Sequence, residues 1–508
     1  MDPEIAEFAR SYRTFVDSIN QALDGGTGEL TPLGAHVRDF LGASPNEVEP
    51  VTETFPNHQA VDVDIALEAL LTEHGGARHG ISGANRAHMD NFADYLTRTF
   101  AAFDLGAVAY ERKATGPDSD RRVVAFGIGE IHLDGVPLIW LQRTAQPRYG
   151  RERYTLEVMC PDAEVTDAFL TTVHAKMAEL SVLRGKIISF ARDDFNYHAP
   201  GTELTFLPRP DVAAKQVILP DGVLDRVRRH VVGIGEHREA LQTAGQHLKR
   251  GVLLYGPPGT GKTHLVRHLL TETEGATAVL LSGRTLVFLN DATTLARAAQ
   301  PAIVVLEDCD LVAEHRGGET NAALFETLEA MDGLAADADI TFILTTNRVD
   351  LLERALIERP GRVDLAVEIT KPDLDARERL FRLYAADLLD AGHLTEEAVR
   401  AAAARTEGVT ASFTKELIRR CVINAAQTGR PPADADVDRA LDEMLSDAES
   451  LTRTLLGGEG AALGDDEPPP WFPPRPGLAP GPAPFPGATG STSQLGFSRY
   501  QPPLRPGP

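Results

Sequence analysis

Cysteine is scarce in this 508-residue sequence. Cys160, Cys309 and Cys421 are too few and too far apart for a disulfide framework or a CxxC metal pair, so a reducing compartment, the cytoplasm, is expected. No 18 apolar residues run together, and the first twenty positions carry Asp2, Glu4 and Glu7 with no apolar core. Neither a membrane span nor a secretory leader is therefore expected. Positive charge is also short, with 50 Lys and Arg against 74 Asp and Glu, a formal net charge of -24. Proteins grip phosphate backbones with Lys and Arg gathered on one face, so no nucleic-acid partner is expected and a DNA or RNA motor is disfavoured. The motifs GxSxG and HExxH and any Cys/His nucleophile arrangement are missing as well, which argues against a fused protease.

What is present divides along the chain, as its length requires, since a single core rarely serves so many residues. Residues 1–110 read as mainly helical, with Ile5, Phe8, Tyr12, Phe15, Val16 and Ile19 recurring every three to four positions. Residues 111–210 read as an α+β recruitment region. Its strand-like runs VVAFGI, VPLIWLQ and RYTLEVMC are broken by turn signals such as Leu133-Asp134-Gly135, then followed by a helix over Val165 to Leu183 and a strand over Lys186 to Phe190. Over residues 218–371 strands alternate with helices, the pattern of a parallel sheet with crossovers. Strands are expected at Val252 to Tyr255, Thr277 to Ser282, Ala302 to Leu306, Ile340 to Thr346 and Leu365 to Thr370. Residues 372–446 are wholly helical in pattern, a small lid. The fold class is thus α/β, with an α+β region before it and a tail at 463–508 expected to be disordered. From Glu467 onward that tail holds 14 of the 34 prolines. Such a segment stays extended, and Trp471, Phe472 and Phe485 are either anchors for a partner or part of an inert solubilising tail.

The segment Gly256-Pro257-Pro258-Gly259-Thr260-Gly261-Lys262-Thr263-His264 carries the phosphate-binding pattern GxxxxGK[ST], after an apolar strand and before a helix. Its glycines let backbone N–H groups curl toward phosphate oxygens, and the helix adds its positive end. Lys262 is expected on the β and γ phosphates of ATP and Thr263 on magnesium. A magnesium nucleotide also calls for carboxylates at a neighbouring strand end, and Ala302 to Leu306 delivers Glu307 and Asp308 there. Neighbouring strand residues face opposite ways, so Glu307 is assigned to the metal shell and Asp308 to the attacking water. Asn347, after ITFILTT, is a candidate for orienting that water, though a turn residue is the plainer reading.

These residues, with MDGL at Met331 to Leu334, TTN at Thr345 to Asn347 and RPGR at Arg359 to Arg362, resemble the main AAA family of ATPases. The resemblance covers roughly Ile218 to Leu445. It implies ATP and Mg as cofactors, and a homo-oligomer, a hexameric ring, with Arg359 and Arg362 reaching the neighbouring subunit's γ-phosphate. It also implies work on a protein client recruited through the N-terminal region. An ATP-dependent assembly switch that hydrolyses little is the alternative. The order Glu307-Asp308 reverses the family's usual Asp-Glu and is similar to the mitochondrial translocase of the Rieske iron-sulfur protein. The aromatic pore loop of threading rings is missing, with Phe288 and Leu289 the nearest substitutes, so threading is in doubt and Phe288 reads as well as core. The lid tract TEGVTASFTKELIRR has Ala411, Ser412 and Phe413 where Gly, Ala and Asp are common, and places Lys415 either near the phosphates or on the surface. Val232 to Gly235 fall where relatives pass the adenine, or form a plain turn. His74 and His79 lie in a glycine-marked loop with too few local ligands for zinc, and Asp193 and Asp194 read as a solvated acidic face.

Overall fold

Among the described residues two sheets of seven strands each organise the chain, one antiparallel and one mostly parallel. A computed structural model describes residues 30–84, 86, 89–97, 102–146, 150–191, 203–309, 338–348 and 363–446. The helix expected near residues 5–19, Asp193 and Asp194, the MDGL and RPGR segments and the proline-rich tail lie outside these residues.

The first sheet is built from β1 (Val51–Phe55), β2 (Ala77–Ser82), β3 (Asp104–Gly106), β4 (Ala109–Gly116), β5 (Ser119–Leu133), β6 (Val136–Arg143) and β7 (Tyr154–Met159). Its order is β1-β7-β6-β5-β2-β3, with β4 also on β5. The turn between β5 and β6 is the one its sequence signals: Asp134 (φ 50°) and Gly135 (φ 82°) both occupy the left-handed region that a two-residue hairpin needs. Alternation then sorts the two faces. Leu138 and Trp140 of β6 face α2 (Ala60–Glu73) and α3 (Ala163–Leu180), while Ile139 and Leu141 face α1 (Pro32–Leu41). Buried charge is neutralised in place. Glu157 meets Arg143 and accepts from the Phe92 N–H at 2.6 Å, and Arg143 donates on to the Met89 and Asp90 carbonyls.

The second sheet contains the five expected parallel strands, β10 (Arg250–Tyr255), β11 (Thr277–Ser282), β12 (Ala302–Glu307), β13 (Ile340–Thr346) and β14 (Leu365–Glu368), ordered β14-β10-β13-β12-β11. It does not stop at β11. The strand expected at Lys186 to Phe190 with the N-terminal region is β8 (Ile187–Ala191), which pairs parallel to β11, and β9 (Glu203–Leu207) closes the edge antiparallel to β8. The reason is hydrophobic: Ile188 and Phe190 are buried on the face holding Val279, Leu281 and Phe342, and Ile187 on the opposite face, so β8 is apolar on both sides and needs a covered sheet. The opposite end of the sheet is clamped by buried Asp339, which accepts from Arg250 at 2.8 Å and from Arg238.

The two regions share contacts. Asp62 of α2 accepts from Ser181 Oγ at 2.6 Å and from the Val182 N–H at 2.9 Å, where the chain leaves α3 for β8, and the His58 ring meets Phe190 edge-on at 6.4 Å. Phe190 in turn stacks, tilted, on Phe288 at 5.4 Å. Phe288 is therefore packing material at the sheet edge, as its core reading holds.

Beyond β14 the described residues form five helices of the lid, α5 (Leu374–Tyr384), α6 (Ala386–Asp390), α7 (Glu396–Arg405), α8 (Ala411–Gln427) and α9 (Asp434–Leu445), around Phe381, Phe413, Leu417 and Leu441. No described helix is long and apolar enough to cross a membrane.

Candidate functional site

Parallel strands all end at one sheet edge, and there the chain gathers its phosphate loop and both acids. The loop between β10 and α4 (Lys262–Glu272) turns through Gly256 (φ 141°), Gly259 (φ 75°) and Gly261 (φ 111°), conformations that side chains rarely adopt. Space excludes a Cβ as well: at Gly256 it would lie 2.3 Å from the Ile369 carbonyl, and at Gly259 2.8 Å from Ser412 Oγ. Lys262 is buried, and its Nζ donates to the carbonyls of Gly256 and Pro257, each at 2.8 Å. The ammonium thus lies along the inside of the loop, held by weak carbonyl partners that a phosphate oxygen outcompetes through charge. Thr260 Oγ1 donates to the Pro257 carbonyl at 2.9 Å, which fixes the turn.

Across from the loop, β12 ends in Glu307 and Asp308. Glu307 accepts from the Thr263 hydroxyl; burial raises its carboxyl above the ordinary value, against the lowering effect of that hydrogen bond, and the neighbouring Asp308 charge raises it further. Asp308 turns away. Its φ of 49° is left-handed, a region that Asp and Asn enter more readily than other non-glycine residues, and its N–H donates to Thr345 Oγ1 at 3.0 Å. Its Oδ1 accepts from Asn347 Nδ2 at 3.2 Å. Successive acids therefore address different partners: Glu307 the P-loop threonine, Asp308 the asparagine at the tip of β13.

Such a donor set suits a magnesium triphosphate. A backbone cradle open to close approach, a buried ammonium, a hydroxyl and a carboxyl sharing one hydrogen bond, and the N-terminus of α4 are complementary to phosphate and a hard divalent cation.

The lid touches the cradle directly. Both the N–H and the Oγ of Ser412 donate to the Gly259 carbonyl, at 3.2 and 3.4 Å, while Phe413 is buried in the lid core. Lys415 is exposed, on the side where its charge bears on His264. The His264 ring does not point into the cradle: its Nε2 meets the Gln216 carbonyl at 3.1 Å, and partial burial lowers its basicity. Beside Thr260 opens an apolar cleft lined by Ile218, Leu219, Pro220, Thr370, Pro372, Ala376, Leu380 and Ala411. The cleft is narrow, with room for about one water. Of Val232 to Gly235, the segment expected to pass the adenine or to form a plain turn, Val232 is core and Gly235 packs near Arg250. Of the expected residues, Arg359 and Arg362 fall outside the described region, so the structure brings together only the loop, Glu307, Asp308 and Asn347.

Comparison with known proteins agrees with this geometry. Residues 252–371 match the family model described as ATPase family associated with various cellular activities (AAA). Similar curated proteins include the ATP-dependent zinc metalloprotease FtsH of Cutibacterium acnes, 31% identical over 42% of this chain and 32% of its own length. Proteasome-activating nucleotidase 1 of Halobacterium salinarum is 32% identical over 37% of the chain and 51% of its own length. The proteasome-activating nucleotidase of Methanocaldococcus jannaschii is 28% identical over 52% of the chain and 64% of its own length. The chain thus spans 32 to 64% of the length of these relatives, and the likeness of its acid order to a Rieske-protein translocase rests on the two acids alone. Over residues 252–371, the segment that builds the cradle, the chain is similar to the AAA family of ATPases.

Proposed function

We propose that the protein hydrolyses ATP with magnesium and uses the energy to remodel a protein client. The observation that carries the reading is the division of labour between the adjacent acids: Glu307 on Thr263, Asp308 on Asn347. In this reading Lys262 and the loop N–H groups bind the β and γ phosphates. Thr263 and Glu307 hold magnesium, which when bound neutralises phosphate charge. Asp308, oriented by Asn347, takes a proton from the attacking water as the water oxygen bonds to the γ-phosphorus and the bond from that phosphorus to the β–γ bridging oxygen breaks, so that ADP and phosphate leave. Arg359 and Arg362 of an adjacent copy complete the site in a ring, a hexamer by family resemblance, so that assembly controls turnover.

The mechanical output is prising rather than threading. Phe288, the substitute for a gripping aromatic, is engaged with Phe190 and the sheet core, so it is not available as a mobile pore residue. The client is assigned to the antiparallel sheet and its helices, which meet β8 through His58 on Phe190 and the segment leading into β8 through Asp62, and which can receive motion from the ATPase sheet. The tail is assigned a partner of its own.

Steady-state ATP turnover by the purified chain across a range of protein concentrations tests this. Expected is magnesium-dependent hydrolysis whose rate per chain rises with concentration, lost in Lys262→Ala and in Arg362→Ala. Tight ATP binding with negligible turnover would instead support the assembly switch.

A further inference from the structure

We infer that the N-terminal sheet carries a site for a divalent transition metal, of which zinc is the type, held by His36, His79 and Glu130. The three residues are distant in sequence and come from three elements: His36 from α1, His79 from β2 and Glu130 from β5. Strand pairing makes the meeting possible. β2 runs antiparallel to β5 with Ala77 opposite Glu130 and His79 opposite Ile128, so His79 and Glu130 share the face of the sheet on which α1 lies.

His36 Nε2 is 2.9 Å from one Glu130 oxygen and His79 Nε2 is 3.3 Å from the other, the rings edge-on at 5.9 Å, and the ligand atoms all lie within 4.8 Å of one another. Zinc bonds of about 2.0–2.1 Å at tetrahedral angles set ligand atoms roughly 3.3 Å apart, close to both carboxylate–imidazole distances. The longest separation closes by rotation of the imidazoles, which are 32% and 31% exposed. Each imidazole moves its proton to Nδ1 and offers the Nε2 lone pair; the carboxylate supplies the charge, and water takes the fourth position.

Two nitrogens and one oxygen favour zinc, nickel, cobalt or copper over magnesium and calcium, which seek oxygen alone. The site is therefore chemically separate from the nucleotide cradle. Bound there, the ion joins α1 to both strands and acts as a clasp on this face of the N-terminal sheet.

Calorimetric titration of the chelator-stripped full-length chain with zinc, in saturating magnesium, tests the site. Expected is one zinc per chain, with affinity reduced more than about 100-fold by His79→Ala and by Glu130→Gln, beyond the 10- to 100-fold that outer-shell changes cost. Cobalt added in place of zinc should give the visible absorption of a four-coordinate N/O site, lost in the same variants. Should His79→Ala alter the far-ultraviolet dichroism, His36→Asn, on the partly exposed face of α1, answers the same question. Zinc binding no tighter than millimolar, or unchanged in His36→Asn and Glu130→Gln, overturns the proposal.

Discussion

The two sheets have equal strand numbers but spend their polar residues differently. In the antiparallel sheet successive strand ends alternate between edges, so no edge collects functional side chains, and buried charges are paired within the fold. Glu157 with Arg143, and Asp64 with the Val124 N–H, Gln142 and nearby Arg78 and Arg121, are examples. In the mostly parallel sheet every strand but the edge strand β9 delivers its C-terminal residue to one edge, and Gly256, Glu307 and Asn347 arrive there together. The antiparallel sheet consequently keeps its one cluster of metal-ligating residues, among those described, on a face, under α1. Strand direction decides where chemistry collects.

The contrast can be broken most sharply by uncoupling a buried pair. Glu157→Ala leaves Arg143 buried and unpaired, and Asp339→Ala does the same to Arg250; urea unfolding should show a loss of about 3–5 kcal/mol for each. Equal losses would place both pairs in one cooperative unit, whereas a biphasic curve in only one variant would separate the sheets. At the catalytic edge, Asp308→Asn should lower ATP turnover by about 10²–10³-fold while leaving nucleotide affinity near that of the parent, read by steady-state kinetics and calorimetry.

A smaller, pH-dependent effect tests the burial of Glu307. Its carboxyl is raised in the folded state, so relative to an uncharged residue it costs nothing below the ordinary carboxylate range, costs stability increasingly as pH climbs out of that range, and costs most above the raised value. Glu307→Gln should therefore melt higher than the parent at neutral pH without nucleotide, and the difference should vanish in acid. Magnesium nucleotide should reverse the order at neutral pH. Smallest of all, Ser412→Ala removes one side-chain hydrogen bond to the P-loop but keeps the backbone one. Its expected cost is about 1 kcal/mol, seen as a modest change in nucleotide release.

The parallel strands, the hairpin at Asp134-Gly135 and the phosphate loop were legible because each rests on local chemistry: apolar runs, left-handed turn residues, glycines before a lysine. β8 was legible as a strand but not in its allegiance, since its partner β11 lies some ninety residues away and an apolar run does not name its neighbour. The same limit hid the Ile218 to Pro220 cleft, whose opposite wall comes from the lid, and the meeting of His79 with His36 and Glu130. His79 read alone has too few ligands, because the other two arrive through strand pairing and helix packing.

Calorimetric titration of the purified chain with ATP and magnesium probes the cradle most directly. The account predicts saturable, magnesium-dependent binding at one site per chain that Lys262→Ala weakens by at least about tenfold, the effect of losing one charge-assisted contact. Absence of binding, or affinity indifferent to magnesium and to Lys262, would contradict it.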